Sequence, residues 1–172
     1  MPEGTAAGSG AGFRAAVLTV SSSRAGGSGE PDEGGPALAE WSRSIGAEPE
    51  VAELIADDRE LIAERLRYLS DEAGIDLILT TGGTGFAPAD VTPEATRDVI
   101  DREAPGIAEA MRATSREHTP RWMLSRAVAG TRGNALIVNF PGSPKSISEC
   151  GAAIAGALPH ALRLLAGDAD RH

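Results

Sequence analysis

The sequence predicts an α/β fold: a three-layer sandwich in which a mostly parallel sheet is flanked by helices. Two observations carry that prediction. Compact apolar runs at 14–21, 48–55, 75–81 and 125–140 alternate with longer segments bearing helix start and stop signals. The runs, above all "AAVLTV" and "IDLIL", are continuously apolar, as strands covered on both faces are. In such sheets ligands bind beyond the carboxyl ends of the strands, which directs attention to the turns that follow them.

Each element has its own justification. "RAAVLTVS" (14–21) is a buried strand ending in serines, and the Gly-, Ser- and Asp-rich stretch at 22–35 is a flexible exposed loop. Pro36 fits the first turn of a helix through "ALAEWSRSI" that stops at Gly46. "EPEVAELI" (48–55) is a second strand. Asp57 then stands where an N-cap belongs, with Asp58 as a first-turn acid. In the helix that follows, Ile62, Leu66 and Leu69 form one apolar stripe, and Gly74 ends it. "IDLILTT" (75–81) is a third strand running into a glycine turn. Thr92 as N-cap and Pro93 at N1 start a helix through 103, and "APGIAEAMRATSREH" forms another. Two strands joined around Arg132-Gly133-Asn134 fill 125–140, and helix, interrupted or restarted at Pro159, closes the chain. Residues 1–13, rich in small residues, are expected as a disordered tail, and 14–172 as a single domain without repeats or linkers.

Composition narrows the function. The 172 residues are 41% hydrophobic but only 3% aromatic, so the core must be built from Ala, Val, Leu and Ile. A net charge of −9, from 25 acidic and 16 basic residues, argues against nucleic acid or an anionic membrane surface as partner. It leaves room for phosphorylated small molecules whose charge is met by a metal ion or by backbone N–H groups. One cysteine, Cys150, allows neither an internal disulfide nor a cysteine-based zinc site and reads as a small core residue. No apolar run reaches the ~18 residues of a membrane span. The opening residues lack the pattern of a signal peptide, and the expected compartment is the cytoplasm.

The chemistry concentrates in "TTGGTGFAPADVTPEAT" (80–96). It is not a Walker A loop, since no Gly-Lys-Ser/Thr follows. Nor is it a dinucleotide fingerprint, since Pro88 holds the third glycine position. Thr81, Gly82, Gly83, Thr84 and Gly85 read either as a tight strand-to-helix turn or as a nest of N–H groups and hydroxyls suited to phosphate oxygens. Asp90 complements a helix start that Thr92-Pro93 already provides, so the helix does not need it. Asp57 by itself reads as a plain N-cap, and Asp32 and Glu33 as solvated loop acids. "NFPGSPKS" (139–146) is a second strand-to-helix turn, in which Lys145, the only lysine of the chain, can meet an anion. His118, His160 and His172 show no ligand spacing.

Taken together these blocks resemble the MogA/MoaB family, the molybdopterin adenylyltransferases of molybdenum cofactor synthesis. The likeness runs from about 14 to 166 and includes "DEGGPAL", "LIADDRELI", "LTTGGTGFAPADVTPEAT", "LSR" at 124–126, "LIVNFPGSPKSISEC" and "ALPHALRLL". The resemblance implies attack of the terminal phosphate of molybdopterin on the α-phosphate of ATP, with Mg²⁺ as cofactor and pyrophosphate as product. It implies catalytic aspartates at Asp57 and Asp90; because a carboxylate beside phosphates makes sense where it holds Mg²⁺, Asp90 is the expected metal residue. It implies nucleotide binding at Thr81 to Gly85, and pterin binding at Ser125, Pro141, Gly142, Ser143 and Lys145. It further implies a homotrimer; whether the protein acts alone or hands its product to a molybdate-inserting enzyme stays open at this point. The alternative is a MoaB-like protein that binds pterin without adenylylating it. Two positions depart from the common pattern: Ser23 where relatives carry aspartate, and Ala89 where an arginine often precedes the "DVTPE" aspartate.

Overall fold

The computed structural model describes residues 12–168. The expected tail at 1–13 lies outside the described residues through residue 11, and Phe13 opens the first strand. One six-stranded sheet has the order β2-β1-β3-β6-β5-β4. Its parallel part comprises β1 (Phe13–Val20), β2 (Ala47–Ile55), β3 (Leu77–Thr81) and β6 (Ala135–Phe140). A hairpin adds β5 (Ala129–Arg132) antiparallel to β6, and the two-residue β4 (Arg102–Glu103) pairs with β5.

Alternation along the strands sorts the core into two layers. Val17, Leu79 and Val138 pack against α2 (Gly34–Ser44), α5 (Pro105–Ser115), α6 (Pro144–Ile154) and α7 (Leu158–Leu165). Leu18, Ile78 and Ile137 point to the opposite face, against α3 (Arg59–Asp71) and α4 (Thr92–Val99). The α3 stripe of Ile62, Leu66 and Leu69 is fully buried, as its spacing predicts. Cys150 is buried in the first layer, where burial pushes its thiol pKa up. β2 lies at the edge, where Pro49, with no N–H to give, is tolerated; the register shifts beside it, leaving Glu50 unmatched. No helix among the described residues is long and apolar enough to cross a membrane.

Three details differ from the expectations. The loop at 22–35 contains a short helix, α1 (Ser22–Ala25), capped by the Ser21 hydroxyl. The helix expected through 103 stops at Val99, because Asp101 to Ala104 are drawn into hydrogen bonds with Ala129 and Thr131 of β5. Helix α3 is capped by Asp58 and not by Asp57: Asp58 is extended (φ −131°, ψ 119°) and its carboxylate accepts from the Leu61 N–H at 3.0 Å.

Candidate functional site

Three strand-to-helix turns meet beyond the carboxyl ends of β1, β3 and β6. Their contacts are backbone-close. A Cβ on Gly34 would lie 3.0 Å from the Gly142 carbonyl oxygen and 3.1 Å from Thr81 Oγ1. The Thr81 hydroxyl is buried and donates to the Pro141 carbonyl at 2.8 Å, so it locks the β3 turn to the β6 turn. Gly82 and Gly83 have φ of +97° and +69°, the left-handed region that glycine enters without strain. Gly82 also passes the backbone of β1, where a Cβ would overlap the Val20 carbonyl oxygen.

Thr92 holds this turn from below. It is not the N-cap its sequence position implies, because its side chain is buried under the glycines. Its N–H donates to the Gly83 carbonyl at 3.2 Å and its hydroxyl to the Gly82 carbonyl at 3.0 Å. Deeper still, Asn139 Nδ2 donates to the hydroxyls of Thr80 (3.0 Å) and Thr96 (2.9 Å), and Asn139 Oδ1 accepts from the Val128 N–H. This fully satisfied buried network ties β3, β6 and α4 into a rigid floor.

The two aspartates border the glycine turn at different points. Released from capping, Asp57 forms a reciprocal pair with Ser22: the Ser22 N–H donates to Asp57 Oδ2 at 2.8 Å, and the Asp57 N–H donates to Ser22 Oγ at 2.9 Å. Asp57 Oδ1 lies 3.2 Å from where a Gly83 Cβ would stand. Asp90 closes a turn with Ala87, whose N–H donates to Asp90 Oδ2 at 2.9 Å, and that oxygen lies 2.9 Å from a would-be Gly85 Cβ. Each carboxylate thus commits one oxygen to the backbone, and Oδ1 of each accepts no hydrogen bond among the described residues.

The expected pterin residues divide. Ser125 and Pro141 line a recess of about 140 Å³ with Arg121, Trp122, Ser146 and Cys150. Ser143 caps α6, accepting from the Ser146 N–H at 3.2 Å, and a Cβ on Gly142 would lie 3.7 Å from Gly82 Cα in the glycine turn. Lys145 lies at the rim: its side chain is 81% exposed, and Nζ lies 3.9 Å from Glu149 in a surface recess that shares Thr119, Arg121 and Ser146 with the first.

Besides Asn139, sequence reasoning missed two residues that build the site. Asp32, read as a solvated loop acid, accepts from the Thr19 hydroxyl at 2.8 Å and from the Gly35 N–H at 2.9 Å. Its place three residues before Gly35, at the head of a helix, was the available signal. Arg126 bonds the carbonyls of Gly85 and Asp90 and pairs with Glu94; it closes the "LSR" block at 124–126, which was the available signal, though nothing local shows what its guanidinium reaches.

Residues 16–160 match the family described as "Probable molybdopterin binding domain". The chain belongs to this family. Among members of the molybdopterin-binding family, it is 47% identical over 116 residues to the molybdopterin adenylyltransferase of Helicobacter pylori J99, covering 67% of this chain and 66% of that one. It is 50% identical over 120 residues to the molybdopterin adenylyltransferase of Escherichia coli K12, covering 69% and 62%. The matches therefore span about two thirds of the length of these curated relatives. The crystal structure of the molybdopterin biosynthesis enzyme MoaB from Thermus thermophilus superposes with a TM-score of 0.84 at 47% identity, covering 90% of this chain and 97% of that one.

Proposed function

We propose that this protein is a molybdopterin adenylyltransferase. An oxygen of the molybdopterin phosphate attacks the α-phosphorus of ATP, the bond to the β-phosphate breaks, and pyrophosphate leaves. The observation that carries this reading is the pair of carboxylates, Asp57 and Asp90, set at Gly83 and Gly85 of a single glycine turn. The names of the relatives support it. Adenylyl transfer asks little covalent chemistry of the protein; positioning and electrostatics do most of the work.

In this reading the N–H groups of Gly82 to Gly85 face the ATP phosphates, and Ser125, Pro141, Gly142, Ser143 and Lys145 face the pterin and its phosphate. The donor chemistry fits Mg²⁺. That ion takes one or two carboxylates plus phosphate oxygens and water, and the described residues hold no cluster of three or more ligating side chains that would suit an all-protein cage. Asp90 is the residue that would hold it, with Asp57 assisting the metal or orienting the pterin; held there, the ion would supply charge compensation for the phosphates. We further propose that the chain assembles as a homotrimer. It would work in the cytoplasm, consistent with a single buried thiol, and pass its product to a molybdate-inserting enzyme.

The deciding experiment incubates the purified protein with molybdopterin and MgATP and follows adenylated pterin and pyrophosphate together. Stoichiometric appearance of both supports the reading. Pterin binding without product would establish the binding-only alternative. Light scattering checks the assembly, with a monomer at micromolar concentration refuting the trimer.

A further inference from the structure

Asp90 sits at the end of a six-residue excursion, 85–90, that does little to hold itself in place. Phe86 to Ala89 are exposed, Phe86 by 68%, so burial supplies no anchor. The turn bonds between Ala87 and Asp90 fix the excursion's shape but not its position. Position comes from Arg126. Its Nε donates to the Gly85 carbonyl at 2.8 Å and its Nη2 to the Asp90 carbonyl at 2.7 Å, gripping both ends of the excursion with one planar group. Its backbone N–H donates to the Thr84 carbonyl at 2.9 Å, one residue before the excursion begins. Its Nη1 pairs with Glu94 in the first turn of α4, which references the whole clamp to the helix.

The ion pair itself is poorly built for stability. Glu94 Oε2 is buried and has no hydrogen-bond partner among the described residues. A half-satisfied carboxylate of this kind offsets much of what the pair contributes. What the pair does is orient the guanidinium. We propose that Arg126 is a positioning residue that sets the Asp90 carboxylate against the glycine turn, acting through the carbonyls of Gly85 and Asp90. The catalytic part of this inference rests on the adenylyltransferase reading; the positional part does not.

Arg126→Lys separates positioning from general structure. Lysine keeps the charge beside Glu94 but cannot present a fork to two carbonyls at once. The full chain is measured in two ways. In the ligand-free protein, amide hydrogen exchange within 85–90 should speed up in R126K while β3 and the interior of α4 keep wild-type protection. With substrates, kcat should fall by about 10²-fold, the scale of an ångström-level misplacement, while the KM for molybdopterin stays within a few-fold. Wild-type exchange at 85–90 in R126K overturns the assignment. So does a wild-type kcat, or exchange that rises throughout the molecule. If the wild-type protein makes no adenylated product, the functional reading fails while the exchange measurement still decides the positioning. Should R126K not fold, Glu94→Gln removes only the guanidinium's ionic anchor. Faster exchange at 85–90 in E94Q then supports the assignment, and unchanged exchange overturns it.

Discussion

Replacing Gly83 by alanine tests how tightly the glycine turn is built. Two costs add. At φ +69° an L-residue is in the left-handed region, which costs about 1–2 kcal/mol. The new Cβ would also overlap Thr92 Oγ1 and lie 3.2 Å from Asp57 Oδ1. Thr92 is fully buried, so its hydroxyl cannot swing into water. Displaced, it loses its bond to the Gly82 carbonyl and leaves a buried polar group unpaired, a further ~1–3 kcal/mol. The total is roughly 2–5 kcal/mol. Gly133 supplies the control. It is also left-handed, at φ +53°, but a Cβ there meets nothing within 4 Å, so Gly133→Ala should cost only the conformational part. Urea unfolding of the two variants, compared at equal m-value, isolates the contact term. Equal stability of G83A and G133A would refute the claim that Thr92 is locked beneath the turn.

Two further predictions concern charge. Lys145→Ala should leave stability unchanged, since the side chain is 81% exposed, but weaken molybdopterin binding and flatten its salt dependence; unchanged affinity in a titration would return Lys145 to the solvated surface. The Arg126 guanidinium, hydrogen-bonded to Glu94, holds that carboxyl below the usual range. A lowered folded pKa means stability that is fully present above the ordinary glutamate value of about 4.3 and is lost as pH falls through the lowered one. Acid unfolding of Glu94→Gln should therefore show a shallower loss of stability over that window than wild type, and superimposable curves would contradict it.

How far the sequence alone reaches follows from the kind of signal each feature leaves. Strands β1 and β3 and the α3 stripe were legible because burial on both faces, or on one stripe, imposes a pattern of its own. The capping assignment failed by one residue. "ADD" offers two adjacent acids, and only the backbone turn that sends the Asp58 N–H to the Ala56 carbonyl decides which is extended and which is free. That shift matters, because it is Asp57 that reaches the glycine turn. Thr92 was misassigned for a related reason: a threonine before proline fits a cap, but here the hydroxyl serves the turn above it. Arg126 and Asn139 stand inside the "LSR" and "NFPGSPKS" blocks, but nothing local shows what they bond: apart from Val128, the side-chain partners of both are 32 to 59 residues away in sequence. Long-range polar clamps follow from topology, and no period in the chain announces them.

If the glycine turn holds phosphate as proposed, the carboxylates beside it add to the negative charge that has to be compensated. The arginine closest to the turn is already committed: Arg126 spends its donors on two carbonyls and Glu94. Lys145 is exposed and lies beside Glu149. In the proposed reading, and in a chain of net charge −9, the turn's backbone N–H groups would face a polyphosphate flanked by Asp57 and Asp90. A divalent cation arriving with ATP reverses the sign of the Asp90 contribution from repulsion to attraction. ATP affinity of the wild-type protein should therefore rise when Mg²⁺ replaces a chelator. In Asp90→Asn most of that rise should vanish, because the amide still accepts from Ala87 but carries no charge for a hard cation. Metal-free ATP should by the same logic bind Asp90→Asn at least as well as wild type. Adenylation should fall by about 10²-fold, or ~2.7 kcal/mol of transition-state stabilisation, with molybdopterin affinity retained. Calorimetric titrations of both proteins with ATP, with and without Mg²⁺, measure the sign directly. Wild-type affinity that ignores Mg²⁺, or an Asp90→Asn variant that gains from it as wild type does, would remove Asp90 from the metal site.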